Sequence, residues 1–149
     1  MKKTPESIAS LYSFTLTALR KNILAILLNA QQPLKAYDIL EQLKKTHKNA
    51  EPPTVYRVLD FFVKNHIIHR IESSHAYILC HSHKGIEATD KQKHIIMLCQ
   101  TCHSSQEVFD SVMHTLIDQI TSNQDFHMKS NFVELIGFCE KCYNIPKDA

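Results

Sequence analysis

Apolar residues in the first half of the chain recur at the three- and four-residue spacing of amphipathic helices. One apolar stripe starts at Leu19, a second at Ile39 and a third at Val55. Residues three or four positions apart share a helix face, so each stripe marks a side that can pack against a core. The pattern, with its polar breaks, predicts helices over residues 5–12, 17–29, 36–46 and 54–65.

The last of these helices presents two contrasting faces. Pro52 and Pro53 open it, and proline at the first helical position loses no hydrogen bond because its missing N–H would be unpaired there. The core-facing stripe consists of Val55, Val58, Leu59 and Phe62. The opposite face carries Thr54, Arg57, Phe61 and Lys64.

Two β-rich segments, residues 67–71 and 76–80, follow this helix and predict a hairpin around Ser73 and Ser74. Two helices and a hairpin outline a winged helix-turn-helix, whose second helix presents its first residues to the DNA major groove. Arg57 is then a candidate base reader, because a guanidinium can bind guanine N7 and O6 together. The alternative is an ordinary solvated arginine.

The hairpin also brings a possible metal-binding pair together. If Glu72 pairs with His75, position 67 lies opposite position 80, and His69 and Cys80 are diagonal neighbours on one face. Such neighbours are close enough to share a metal ion. Packing residues are the other interpretation of this histidine and cysteine.

The second half predicts a small α/β unit. A strand over residues 95–98, an amphipathic helix over 109–122 and a strand over 131–138 follow in order. Apolar residues left over from the core would form a dimer face. The chain as a whole is therefore predicted to be α+β, with a winged helix-turn-helix first and a small α/β unit second.

Four cysteines stand in two matched pairs. Cys99-Gln-Thr-Cys102 is followed, after 36 residues, by Cys139-Glu-Lys-Cys142. Four thiolates in this arrangement suit the closed tetrahedral coordination of a structural Zn²⁺. Two redox dithiols or scattered core cysteines are the alternatives. The spacing predicts a zinc ion that stabilises the C-terminal part rather than one that reacts.

The charge is unevenly distributed. Residues 1–80 hold eleven basic and six acidic groups, and residues 81–149 hold six and nine. The first half therefore tolerates an anionic partner better than the second. The longest apolar run near the N-terminus, residues 23–28, is too short to span a bilayer, and no run of signal-peptide length follows Met1. Five cysteines with two such pairs indicate a reducing compartment, and we expect a cytoplasmic protein.

The segments 52–61 and 72–80 resemble the ferric uptake regulator (Fur) family, and are most similar to its zinc uptake regulator (Zur) branch. The resemblance extends from Leu19 to Cys142 and rests on Thr54-Val55-Tyr56-Arg57 with the two downstream Cys-x-x-Cys pairs. It implies a homodimeric, metal-dependent repressor that binds double-stranded DNA. It also implies a DNA-binding domain at 1–80, a hinge at 81–94 and a dimerisation domain at 95–149.

For DNA binding, the resemblance makes Arg57 the base-contacting arginine and Tyr37 a second contact. Thr54 and Lys64, on the same helix face as Arg57, complete the predicted DNA-binding set.

For metal binding, the resemblance assigns Cys99, Cys102, Cys139 and Cys142 to the structural zinc. It implies a regulatory zinc site of one cysteine, two histidines and one glutamate, hence two zinc ions per chain. His69, Cys80 and Glu107 match directly, and His94 is chosen as the fourth ligand because an offset of two residues on a strand keeps the same face. The substitutes for His94 are His81 and His83.

Two other functions are weighed against this one. An iron or peroxide sensor of the same family is the alternative, although such sensors usually carry a cluster of histidines and an aspartate where only His94 stands. A zinc hydrolase or deaminase would need a motif such as His-Glu-x-x-His or His-x-Glu, which the sequence lacks. We therefore expect no enzyme and no small-molecule substrate.

Overall fold

The computed structural model describes residues 3–80, 93–130 and 132–144. The chain divides into two compact units, Met1–His81 and Ser82–Ala149. Each contains both helices and strands, so the predicted α+β class is confirmed. Of the predicted hinge, all but Lys93 and His94 lies outside the described residues.

Residues 3–80, the described part of the N-terminal unit, contain four helices and three strands. In chain order they are α1 (Pro5–Leu11), α2 (Ala18–Asn29), β1 (Leu34–Lys35), α3 (Ala36–Leu43), α4 (Pro52–Lys64), β2 (Ile68–Ile71) and β3 (Ala76–Leu79). The pair β1 and β3 and the pair β3 and β2 are both antiparallel. The two helices α3 and α4 followed by the β2–β3 hairpin form the predicted winged helix-turn-helix.

Local chemistry sets the helix boundaries. Thr17 caps α2, since its hydroxyl accepts the backbone N–H of Arg20 at 3.3 Å. Helix α4 begins at Pro52, in agreement with the prediction that the two prolines open it. Helix α3 ends at Leu43, three residues earlier than predicted, because the chain tightens into a turn in which Thr46 N–H bonds the Leu43 carbonyl at 3.0 Å.

The predicted apolar stripes meet in one core. The three stripes of α2, α3 and α4 pack together with residues of the hairpin, and most of the side chains are completely buried. This core includes Ile23, Leu24, Ile39, Leu43, Val55, Leu59, Phe62, Ile67 and Ile68.

Three strands and two helices lie in the described part of the C-terminal unit. They are β4 (His94–Cys99), β5 (Ser105–Val108), α5 (Ser111–Asn123), β6 (Phe132–Gly137) and α6 (Glu140–Tyr143). The sheet order is β5-β4-β6, with β4 antiparallel to β5 and parallel to β6. Strand β5 and helix α6 are not in the predicted set. The helix was predicted to begin at Phe109, but the Asp110 carboxylate accepts the Met113 N–H at 2.8 Å and so caps α5 two residues later.

Burial is sparse in this unit. Of the residues described there, Ile96, Cys99 and His94 are fully buried, and α5 has no buried residue. Many large apolar side chains are exposed in the single chain, namely Met97, Phe109, Val112, Leu116, Ile120, Phe126, Leu135, Ile136, Phe138 and Tyr143. Within the described parts of both units, no helix has the length and apolar character needed to cross a membrane.

Candidate metal centres and nucleic-acid interface

The four paired cysteines lie at the ends of two neighbouring parallel strands. Cys99 is the last residue of β4 and pairs with Gly137, the last residue of β6. Cys139 follows two residues later and precedes α6, which contains Cys142. Because both strands end at the same edge of the sheet, the two Cys-x-x-Cys segments meet there.

Each pair is held in a tight turn by backbone hydrogen bonds. The His103 N–H bonds the Cys99 carbonyl at 3.0 Å, and the Tyr143 N–H bonds the Cys139 carbonyl at 2.8 Å. His103 has a φ of 58°, a left-handed conformation that favours glycine. The first Cys-x-x-Cys turn therefore places a histidine at position 103, where the backbone conformation favours a glycine.

The four sulfur atoms lie at metal-binding distances. All four are within 4.8 Å of one another, and Cys102 Sγ lies 3.8 Å from Cys139 Sγ. Four sulfurs each about 2.3 Å from a central zinc ion define a tetrahedron with edges of about 3.8 Å. The described cysteines are free rather than disulfide-bonded. All four converge on one point, instead of forming two separate dithiols, and the set fits Zn²⁺.

The hydrogen bonds around these thiols shift their pKa values in opposite directions. Backbone N–H groups of Cys102 and Cys139 lower the pKa of Cys99 to about 6. The hydroxyl of Ser104, 3.1 Å from Cys102 Sγ, lowers the pKa of Cys102. The neighbouring Cys139 thiol raises the pKa of Cys142 to about 12. Four thiolates this close together repel one another, so they cannot all form unless a cation balances their charge. A dication at the centre of the cluster would do so.

A second pair of candidate ligands lies in the hairpin of the N-terminal unit. His69 is opposite Ile78, and the Cys80 N–H bonds the Ile67 carbonyl at 3.0 Å, so the predicted register is confirmed. His69 and Cys80 are buried, and their ligand atoms lie within 4.8 Å of each other. The Lys3 ammonium also donates to the Cys80 carbonyl at 3.4 Å. The pair is placed to share a metal ion.

A third pair lies in the C-terminal unit. Glu107 is opposite Ile96 in the β4–β5 register, which places its side chain on the same face as His94. His94 Nδ1 lies 3.4 Å from Glu107 Oε1, and both side chains are almost completely buried. Nitrogen and oxygen ligands each about 2.0–2.1 Å from a tetrahedral zinc are separated by about 3.4 Å. The spacing of this pair therefore also fits zinc.

The predicted DNA-binding residues are exposed on the N-terminal unit. Thr54, Arg57 and Lys64 lie on the side of α4 away from its buried stripe, and Tyr37, at the start of α3, is 62% exposed. These four side chains are accessible to a partner, and their role at DNA stays a prediction.

Sequence reasoning left some features of these sites unseen. Strand β5 was not predicted, so Glu107 was placed by resemblance alone. Ser104 was not singled out, although it bonds Cys102. His81 and His83, the substitutes for His94, lie outside the described residues.

A winged helix-turn-helix followed by a small sheet with a four-cysteine metal centre defines the class of metal-binding regulators. The sequence profile of the "Ferric uptake regulator family" matches residues 12–136, and the chain belongs to this family. The predicted resemblance is thus confirmed. Because this is a family of regulators, the chain is not an enzyme.

Among known relatives, the "Zinc uptake regulation protein" of Escherichia coli (strain K12) is 30% identical over 146 residues, covering 94% of this chain and 80% of the relative. The "Ferric uptake regulation protein" of Helicobacter pylori (strain ATCC 700392 / 26695) is 21% identical over 123 residues, covering 83% and 78%.

Among solved structures, a zinc uptake regulator complexed with zinc and DNA superposes with a TM-score of 0.79 at 27% identity, covering 93% of this chain and 89% of that one. Holo XcZur superposes with a TM-score of 0.76 at 26% identity, covering 95% and 100%.

Proposed function

We propose that this chain is a zinc-responsive transcriptional repressor that binds operator DNA as a homodimer and controls zinc uptake genes. The observation that carries the proposal is the 30% identity to the zinc uptake regulation protein of E. coli over 94% of the chain. The similarity to a zinc uptake regulator complexed with zinc and DNA supports both the metal and the partner.

In this proposal each chain binds two zinc ions, and each ion has a separate role. The first is held by Cys99, Cys102, Cys139 and Cys142 and stabilises the C-terminal unit. Four protein ligands leave no open position, so this ion has no catalytic role. The 3.8 Å separation of Cys102 Sγ and Cys139 Sγ supports this assignment.

The second zinc is the regulatory one, and we propose that it is held by His69, Cys80, His94 and Glu107. The first two ligands belong to the N-terminal unit and the last two to the C-terminal unit, so metal binding would couple the units. Residues 81–94 then serve as the hinge connecting a DNA-binding domain at 1–80 to a dimerisation domain at 95–149. Two distances support the assignment: His94 Nδ1 lies 3.4 Å from Glu107 Oε1, and the ligand atoms of His69 and Cys80 lie within 4.8 Å of each other.

The donor set favours zinc over iron. A thiolate with two imidazoles and a carboxylate suits a tetrahedral ion of borderline softness, whereas Fe²⁺ prefers more oxygen and nitrogen donors. Ligand softness does not exclude copper or cobalt. Copper binds such sites at least as tightly as zinc does, and cobalt binds them nearly as tightly. Selectivity against those ions would depend on geometry and availability.

DNA binding would follow from fixing the two recognition helices of the dimer. Arg57 would read a guanine from the major groove, with Thr54, Lys64 and Tyr37 contacting the operator beside it. Zinc acts by binding the DNA-competent conformation more tightly, and a preference of about 100-fold corresponds to about 2.7 kcal/mol of coupling. The exposed apolar face of the C-terminal unit would be covered by the second copy, and the reduced cysteines suit the cytoplasm.

The test is a selection of duplexes from a random pool by the purified dimer at buffered free Zn²⁺, Fe²⁺ or Mn²⁺, followed by anisotropy titrations. Zinc content per chain is measured in the same samples. We expect a selected inverted repeat, tight binding with zinc alone and about two zinc ions per chain. Equal or tighter binding with Fe²⁺ would assign the protein to iron sensing instead. Binding independent of added metal would show that the regulatory site has no switching role.

A further inference from the structure

One aromatic side chain interrupts the polar face of helix α4. Phe61 follows Arg57 by four residues and precedes Lys64 by three, so it shares the face on which both charged side chains lie. It is half-buried, unlike the exposed Arg57 and Lys64. One edge of the ring packs against the core, where its centroid lies 5.8 Å from that of Phe62.

The face of the Phe61 ring is in contact with the guanidinium of Arg20, which lies on helix α2. The Cζ atom of Arg20 lies 3.7 Å from the centroid of the Phe61 ring, well within the range of a cation–π contact and close to van der Waals stacking. The Phe14 ring meets Phe61 edge-on at 5.5 Å, and Arg20 Cζ is 5.9 Å from Phe14. Arg20 thus contacts two rings, one of which belongs to α4.

Arg20 is itself held at both ends. Its backbone N–H donates to the Thr17 hydroxyl that caps α2, at 3.3 Å. Its Nη1 donates to the Thr15 carbonyl at 2.9 Å. A planar guanidinium fixed by a carbonyl on its edge and a ring on its face has little rotational freedom left. The Arg20 side chain is therefore in contact on its edge with Thr15 and on its face with Phe61 of α4.

The rotation of α4 about its axis decides where Arg57 points. At a side-chain radius of about 5–6 Å, a rotation of 10° moves a group by about 1 Å, which exceeds the tolerance of a bidentate hydrogen bond. Because Phe61 and Arg57 lie on the same face one turn apart, a rotation that moves Arg57 also moves the ring off Arg20. The stacked pair resists that rotation on the side of α4 that the buried stripe does not contact.

We propose that Arg20, acting through Phe61, is a positioning residue for base reading by Arg57, an inference that rests on the proposed function. Arg20 does not touch the bases in this role. Its stack keeps α4 in the orientation that specific recognition needs, so its loss lowers affinity for the operator more than affinity for unrelated DNA.

The experiment uses the full-length, zinc-loaded dimer with its selected duplex and a scrambled duplex. Arg20→Met and Phe61→Leu remove the two halves of the stack, Phe61→Tyr keeps the ring, and the double variant removes both halves. Lys21→Ala is the matched control, since it removes a neighbouring positive charge whose exposed partner is Glu6 on α1. Thermal unfolding and zinc content identify any variant that fails to fold, and Arg20→Lys then replaces Arg20→Met because it keeps the charge without the planar stack.

We expect each single loss to weaken operator binding about three- to tenfold. The double variant should be no weaker than either single one, Phe61→Tyr should bind like the unchanged protein, and binding to scrambled DNA should fall less than about twofold. Losses that multiply in the double variant, or an equal loss in Lys21→Ala, would contradict the inference. A salt dependence reduced by about one unit of slope in Arg20→Met would assign Arg20 to a phosphate instead.

The two proposals fail in different ways. If the unchanged protein selects no duplex with any metal, the proposed function is wrong and the inference falls with it. If the unchanged protein binds with zinc and the variants show the contradicting pattern, the positioning role alone is wrong.

Discussion

The two units of this chain are stabilised by different means. In the N-terminal unit, apolar stripes from three helices meet in a core whose central side chains are completely buried. In the C-terminal unit, the described residues include only three that are fully buried, and one of these is a cysteine of the four-sulfur cluster. Ten of the twelve large apolar residues that are exposed in the described chain belong to this second unit.

This difference shows what each unit requires in order to fold. The first has a continuous buried core, and we expect it to stay folded when the second unit does not. The second exposes apolar area that would cost stability in water, and it has a metal-binding cluster at the edge of its sheet. A metal ion and a second copy of the chain are the two contributions that would complete it.

The largest expected effect comes from removing the structural zinc, which should unfold the C-terminal unit and leave the N-terminal unit folded. Cys139→Ser should abolish zinc binding at the four-cysteine centre and unfold the C-terminal unit, because structural zinc contributes about 10–16 kcal/mol in small zinc-binding domains. Circular dichroism and sedimentation velocity would show loss of the dimer while the N-terminal unit keeps its helices. Cys80→Ser is the control, expected to fold and dimerise but to lose zinc-responsive DNA binding. An unchanged Cys139→Ser dimer would show that the structural site is misassigned.

The next effect concerns the apolar core. Phe62→Ala should lower the unfolding free energy of the N-terminal unit by about 3–5 kcal/mol, because Phe62 is completely buried. Tyr37→Ala, at a position of the same unit that is 62% exposed, should stay within about 0.5 kcal/mol. Urea unfolding of both variants in the presence of zinc would measure this. Similar losses from the two variants would contradict a stabilising role for the buried core of the N-terminal unit.

The exposed apolar stripe of α5 gives the third effect. Leu116→Asp should weaken the proposed dimer by about 2–4 kcal/mol, because the proposed interface would bury a charge in place of an apolar side chain. Thr115→Asp places the same charge at the neighbouring exposed position and should have little effect. Sedimentation equilibrium with zinc present would compare them. A dimer that tolerates Leu116→Asp would exclude this helix from the interface.

The smallest effect leaves both units folded. Arg57→Ala should weaken operator binding by about 1–3 kcal/mol and relax specificity at one base pair, with thermal stability unchanged. Lys45→Ala, an exposed change after α3, should reduce binding only slightly. Anisotropy titrations against the selected duplex would distinguish them, and undiminished binding by Arg57→Ala would exclude α4 as the base-reading helix.

How far the sequence predicted the fold depended on where each element gets its stability. Helix α4 was predicted well because its apolar stripe at Val55 and its opening prolines are local signals. Strand β5 was missed because Ser105 to Val108 has little apolar alternation, and pairing with β4 is what makes it a strand. The two-residue strand β1 likewise exists only through its pairing with Tyr77 and Ala76.

The sites followed the same rule. The four-cysteine cluster was predicted from spacing alone, since two short pairs carry their own geometry. The hairpin register that joins His69 and Cys80 was also predicted, because a short turn leaves few choices. The proximity of His94 and Glu107 could not be derived from local pattern, as it depends on the unpredicted strand β5. The contact of Arg20 with Phe61 joins residues 41 positions apart and had no sequence signal.

The parallel pairing of β4 with β6 has a consequence for how the protein is made. Cys142 follows Cys102 by 40 residues, so the second half of the cysteine cluster emerges from a ribosome about 2–8 seconds after the first. During that interval a nascent chain displays one dithiol, and the sheet edge that should receive β6 is open. Completion of the C-terminal unit and of its four-cysteine cluster therefore waits for residues that are synthesised late.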